Sequence, residues 1–196
     1  MFDPFEYLSN KKILLIGNAD LKTEPNYSEY DCIARMNLGI LDKPCDVWFN
    51  NLVYKAHEFL FNRYGRYPEF KNIIRLNAEK GGKRLIRMPH CYKSYAWLWN
   101  EKEFNIMQKD LDYERPTTGL IVIYWLLNNI KCDLHVTGYN FFETCNKYTK
   151  EIHQVSNKFA YPSHEMEKDE YWIKRWHDQG KLNLSLIHIS EPTRPY

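Results

Sequence analysis

Lys11-Lys12-Ile13-Leu14-Leu15-Ile16-Gly17-Asn18 is the stretch whose reading decides the fold. Its apolar run is continuous, not alternating, which is the pattern of a strand covered on both faces in a parallel sheet. Gly17 ends the run and lets the chain turn, so Asn18 is delivered at the C-terminal edge of that sheet. Asp31 to Asn37 (DCIARMN) and Asp46 to Asn51 (DVWFNN) also read as strands ending in asparagine-bearing loops. Asn72 to Leu76 and Arg84 to Met88 are two more candidate strands, separated by Gly81-Gly82, and Asp133 to Thr137 alternates into another that ends at Gly138. His57 to Tyr64 and Tyr92 to Asp112 read as helices. Thr118 to Ile130 (TGLIVIYWLLNNI) is apolar on nearly every face and is expected to be a buried helix. Glu167 to His177 forms a last amphipathic helix with Gly180 as its C-cap. Strands alternating with helices predict one α/β domain, a mainly parallel sheet flanked by helices. Ligands of such sheets sit beyond the C-terminal strand ends.

The C-terminal stretch stands apart. Leu184 to Arg194 (LSLIHISEPTR) is the residue-for-residue translation of a common transposase-type sequencing adaptor. The expectation is a native domain over 1–183 followed by an assembly scar over 184–196, which is excluded from the fold and the site.

Composition narrows the function. An aromatic fraction of 16%, with 15 Tyr and 6 Trp, suits a packed fold with aromatic-lined clefts. A net charge of +2 without a dense basic block argues against a nucleic-acid partner. No apolar run approaches the ~18–20 residues of a membrane span, and the first residues lack a basic, apolar leader. The five cysteines, Cys32, Cys45, Cys91, Cys132 and Cys145, are scattered and lack metal-ligand spacing, so a reduced, cytoplasmic protein is expected.

Four patches carry candidate chemistry. The Asn18 amide, placed by Gly17, both donates and accepts, which suits a base or ribose. Arg35 is either a ligand-facing cation or a brace for an acid such as Asp31 or Asp46, and Asn37 ends the same strand. Pro116-Thr117-Thr118-Gly119 opens the buried helix with capping threonines and a glycine that leaves the first-turn amides open, an arrangement suited to phosphate or carboxylate. Gly138 at the next strand end brings backbone to the same place. His164, just before the last helix and close to Asp169, is a candidate general base. Asp110-Leu111-Asp112 has the form of a metal-binding Asp-x-Asp, but such a triplet arises readily in a charged helix, so no metal is expected.

Together these stretches resemble glycosyltransferase family 29, the sialyltransferases. Lys12 to Asn51 is similar to the family's long motif, Pro116 to Phe142 to its short one, and His164 with Asp169 to its His-x4-Glu motif. The resemblance spans about Lys11 to Leu182 and implies a Rossmann-like (GT-A-like) fold and an inverting, metal-independent transfer. It implies that Asn18 and Asn37 contact the CMP part of a donor, that Thr117, Thr118 and Gly119 hold its phosphate or sugar carboxylate, that Gly138 lines the pocket, and that His164 is the base. The implied partners are a CMP-activated acidic sugar and a glycan acceptor. Sialic acid is the leading sugar and Kdo the alternative; a non-catalytic sugar-nucleotide-binding domain and a nucleotide hydrolase are rival readings. The chain departs from the family where Asp169 replaces Glu, where Tyr148 and His153 are weak matches to a third motif, and where Ile13 replaces a cysteine that pairs near Cys132. With no Golgi anchor ahead of the first strand, a bacterial or phage setting is expected.

Overall fold

A computed structural model describes residues 2–19, 21, 23–37, 43–50, 57–58, 60–62, 65–66, 70, 72–76, 96–139 and 165–185, apart from the Met166 side chain. Helix α1 (Pro4–Leu8) leads into β1 (Lys12–Ile16), β2 (Cys32–Met36), β3 (Val47–Phe49), β4 (Ile73–Arg75) and β5 (Trp97–Leu98). Helices α2 (Glu101–Asp110) and α3 (Thr118–Asn129) follow, then β6 (Asp133–Thr137), α4 (Met166–Asp178) and β7 (Asn183–Leu184). The strands form one seven-stranded sheet in the order β5-β4-β3-β2-β1-β6-β7, and every pairing is parallel. This is the α/β architecture expected.

The order explains where a ligand belongs. From β1 the chain builds outward through β2 to β5, then returns by way of α2 and α3 to place β6 on the other side of β1. The direction of winding therefore reverses between β1 and β6. In open parallel sheets that reversal leaves a crevice at the C-terminal strand ends.

Strand alternation divides the core between the two sheet faces. Ile13, Leu15, Cys32, Ala34, Met36, Val47, Phe49, Leu134 and Val136 belong to one continuous cluster with residues of all four helices. Leu14, Ile16 and Ile33 point the other way, against Leu21, Tyr27 and Tyr30. Farther along that second face, Trp48 is fully buried against Phe70, with ring centroids 4.1 Å apart, and edge-on to His57 at 6.1 Å. Helix α3 is buried over most of its residues, with Tyr124 packed on Trp176 of α4 and Trp125 between Phe5, Phe49 and Trp97.

Two local expectations change. The helix read over Tyr92 to Asp112 begins only at Glu101; Trp97-Leu98 is instead the edge strand β5, and Trp99 N–H continues the pairing to Arg75 O at 3.0 Å. Asn100 separates the two states, because its side chain accepts from Glu103 N–H at 2.9 Å and caps the helix. At the C-terminal edge, β7 includes Leu184, and Ser185 N–H donates to Val136 O at 2.8 Å, so the sheet takes in the first residues of the adaptor-like stretch. The predicted end of α4 is found: Gly180 has φ +67°, with Gly180 N–H to His177 O and Lys181 N–H to Trp176 O closing the last turn. The strand read over Arg84 to Met88 lies outside the described residues.

Among the described residues Cys32, Cys45 and Cys132 are free thiols. Burial pushes Cys32 and Cys45 up to about 12 and Cys132 up to about 11, so none is a ready nucleophile at neutral pH. No helix among these residues is long and apolar enough to cross a membrane.

Burial also lowers the His57 imidazole from 6.5 to about 4, with the Arg75 charge adding to the effect. The folded protein holds this ring neutral while the unfolded chain protonates it below its ordinary value. Its contribution is therefore complete above pH 6.5 and is lost as pH falls toward 4, by up to about 3 kcal/mol. Urea unfolding at several pH values is expected to show a shallower acid decline for His57→Gln than for the unmodified protein. Equal slopes would remove His57 as the cause.

Candidate functional site

The crevice is built around a close approach of two backbones. Gly17 N–H donates to Thr137 O at 2.8 Å and Ala19 N–H to Gly138 O at 3.0 Å, which ties the chain beyond β1 to the end of β6. A Cβ on Gly17 would lie 2.2 Å from the Gly138 carbonyl oxygen, so only glycine fits there. Gly138 itself has φ +72°, with its own Cβ direction 3.1 Å from Gly17 N. Asn18 sits inside this joint. Its Oδ1 is buried and has no hydrogen-bond partner among the described residues.

Tyr139 follows directly and connects the patches. Its ring edge would stand 2.6 Å from a Cβ on Gly119 and 2.9 Å from one on Gly17. Its hydroxyl reaches Gly119 O at 3.5 Å and Met36 Sδ at 3.7 Å. Asn37, next to Met36, takes a left-handed turn (φ +46°), its N–H bonded to Phe49 O and its carbonyl accepting from Trp48 Nε1 at 2.9 Å. The ends of β1, β2 and β6 and the start of α3 thus meet around Tyr139.

Thr117 is the N-cap of α3, and its Oγ1 accepts from Leu120 N–H at 3.3 Å. The same hydroxyl donates its one proton to Asp169 Oδ2 in α4. The Thr117 side chain is therefore committed within the protein. What α3 presents to a ligand is its first-turn amides together with the half-buried Thr118. The bond to Asp169 is the feature that sequence reading missed, since 52 positions separate the two residues. Tyr139 and the buried Tyr113 beside Asp169 were missed as well.

Arg35 is a brace, not a ligand cation. Its Nε donates to Pro44 O at 2.7 Å and a terminal nitrogen to Tyr27 Oη at 2.9 Å. The acids expected as its partners turn elsewhere: Asp31 accepts from Lys12 N–H and Asp46 from Ile33 N–H, each at 2.8 Å. Asp110 accepts from the Tyr124 hydroxyl, while Asp112 faces Lys168 at 3.9 Å. The two carboxylates of the Asp-x-Asp triplet thus serve different neighbours. His164, Tyr148 and His153 lie outside the described residues. A separate cleft of about 460 Å³ opens near the other end of α3, against Tyr124, Trp172 and Trp176, and none of the patches lines it.

No family model and no curated protein matches the chain. Solved structures do. The fold is similar to that of CstII, a sialyltransferase from Campylobacter jejuni in complex with the substrate analogue CMP-3FNeuAc, with a TM-score of 0.56 at 17% identity over 89% of this chain and 80% of that one. It is similar as well to a mammalian sialyltransferase in complex with Gal-beta-1-3GalNAc-ortho-nitrophenol, with a TM-score of 0.55 at 13% identity over 93% of this chain and 71% of that one. The chain therefore has a sialyltransferase-like, Rossmann-like α/β fold.

The glycines at the joint make a specific expectation. Gly17→Ala is expected to cost about 2–3 kcal/mol, because the obstacle is the Gly138 backbone. Gly119→Ala meets only the Tyr139 ring, so combining it with Tyr139→Leu restores part of its loss, while the same partner leaves Gly17→Ala unrelieved. Urea denaturation of these four variants and of Tyr139→Leu alone measures this, and equal relief at both glycines would contradict the geometry.

Proposed function

We propose that this protein is a glycosyltransferase that moves an acidic sugar, sialic acid foremost, from a CMP donor to a glycan hydroxyl. The observation that carries the reading is the meeting of the ends of β1, β2 and β6 with the α3 N-terminus around Tyr139, at the sheet's reversal point. A sialyltransferase-like fold, shared with a protein that holds a CMP-sugar analogue, supports it.

In this reading the buried Asn18 Oδ1 accepts from the nucleotide and Asn37 contacts it from the β2 side. The Thr118 and Gly119 amides stabilise charge on the phosphate as it departs. His164 removes the acceptor hydroxyl proton while that oxygen attacks the anomeric carbon opposite CMP; the new C–O bond forms as the bond to phosphate oxygen breaks, inverting the centre. No metal takes part, because a CMP donor carries a single phosphate and the Asp110 and Asp112 carboxylates serve Tyr124 and Lys168.

Purified protein is expected to release CMP from CMP-sialic acid in the presence of glycan acceptors, to bind CMP more tightly than UMP or AMP, and to keep its activity in EDTA. His164→Ala should retain CMP binding while losing about 10²- to 10⁴-fold in turnover. Release from CMP-Kdo alone would reassign the sugar. No release from either donor would sink the reading, and loss in EDTA with recovery in Mn²⁺ would overturn its metal-independent form.

A further inference from the structure

Asp169 is 3% exposed, and its carboxylate accepts from one hydroxyl of a distant segment while its charge acts on two buried phenols. Thr117 Oγ1 donates to it. The Tyr113 and Tyr139 phenols are both held protonated, by burial first and by the Asp169 charge next. A buried carboxylate is tolerated only with such compensation. A second source is the placement of the helices: Thr117 caps the start of α3, and Asp169 lies in the first turn of α4. Two positive helix ends facing one another repel, and an acid between them offsets both.

We infer that Asp169 is a positioning residue for the transfer proposed above, holding the Thr117 cap and through it the Thr118 and Gly119 amides. The reasoning follows the hydroxyl proton. With that proton given to Asp169, a Thr117 lone pair is fixed toward Leu120 N–H, and the first turn of α3 keeps one orientation. Without the carboxylate the hydroxyl rotates, the cap weakens, and the amides aimed at the phosphate lose their alignment. What Asp169 must supply is an acceptor oxygen.

The inference rests on the proposed donor site, and Asp169→Asn tests it because it removes the charge but keeps an acceptor oxygen for the Thr117 hydroxyl. Asp169→Asn and Thr117→Ser are expected to bind CMP within about threefold of the unmodified protein. Asp169→Ala and Thr117→Val should each weaken CMP about tenfold, and the double variant should be no weaker than either alone, since both remove one shared contact. The role is overturned if Asp169→Ala binds CMP as tightly as the unmodified protein, if Asp169→Asn loses as much affinity as Asp169→Ala, or if the two losses add. Should Asp169→Ala not fold, the Asn, Val and Ser variants carry the same comparison. If the unmodified protein does not bind CMP, the donor-site reading fails and the role in donor binding with it; non-additivity of Thr117→Val and Asp169→Asn in urea unfolding then tests the contact on its own.

Discussion

Two strand ends that touch are the constraint from which the rest follows. Gly17 lies so close to the Gly138 carbonyl that it has no room for a side chain, while Gly138 turns through a left-handed φ of +72° against it. That contact carries the pairing of β1 with β6 past the last strand residues, at the place where the sheet reverses its direction of winding. It also fixes Tyr139, whose ring is directed over Gly17 and against Gly119. The start of α3 is thereby held at the sheet's C-terminal edge. A bulkier residue at the joint would separate the strand ends and displace the helix with them.

The helix start is set from the other side by charge. Thr117 and Asp169 bring the first turns of α3 and α4 to a single buried carboxylate. The acid tempers the positive potential that two helix ends would otherwise concentrate there. An anion bound at α3 would therefore depend more on the direction of individual N–H groups than on a broad positive field. The modest net charge of +2 agrees with this, since a protein with so small an excess does little long-range steering of anionic ligands.

The sheet was legible in the sequence because buried parallel strands are continuous apolar runs, and KILLI and CIARM are such runs within one residue of their observed limits. Helix α3 was legible for the same reason, with Thr117 as the visible cap. Trp97-Leu98 was not: a two-residue edge strand has no period of its own, and its aromatic residues fit the helical pattern that follows. The positions of Asn18, Asn37 and Gly138 at strand ends were legible too, because the sheet places them by topology. The Thr117–Asp169 bond was not found, since it joins segments that meet only when α3 and α4 pack. Arg35 was recognised as a possible brace, but Pro44 and Tyr27 hold it instead of the acids, because those acids bind strand backbone N–H groups.

Packing and ligand binding make different claims on these residues. Gly17, Gly119 and Gly138 are required by neighbouring protein atoms whether or not anything binds, so their presence in the sequence is no sign of a ligand. Thr117 is likewise accounted for by Asp169 and Leu120. Asn18 is different. The turn it occupies places no demand on an amide side chain, yet its Oδ1 is buried and lacks a partner among the described residues, an arrangement that costs free energy unless a donor is supplied. With the first-turn amides of α3, which a helix cannot satisfy internally, it forms the part of the crevice that internal packing leaves unexplained. An acceptor on one side and N–H donors on the other suit a ligand with a hydrogen-bonding base or sugar at one end and an anion at the other.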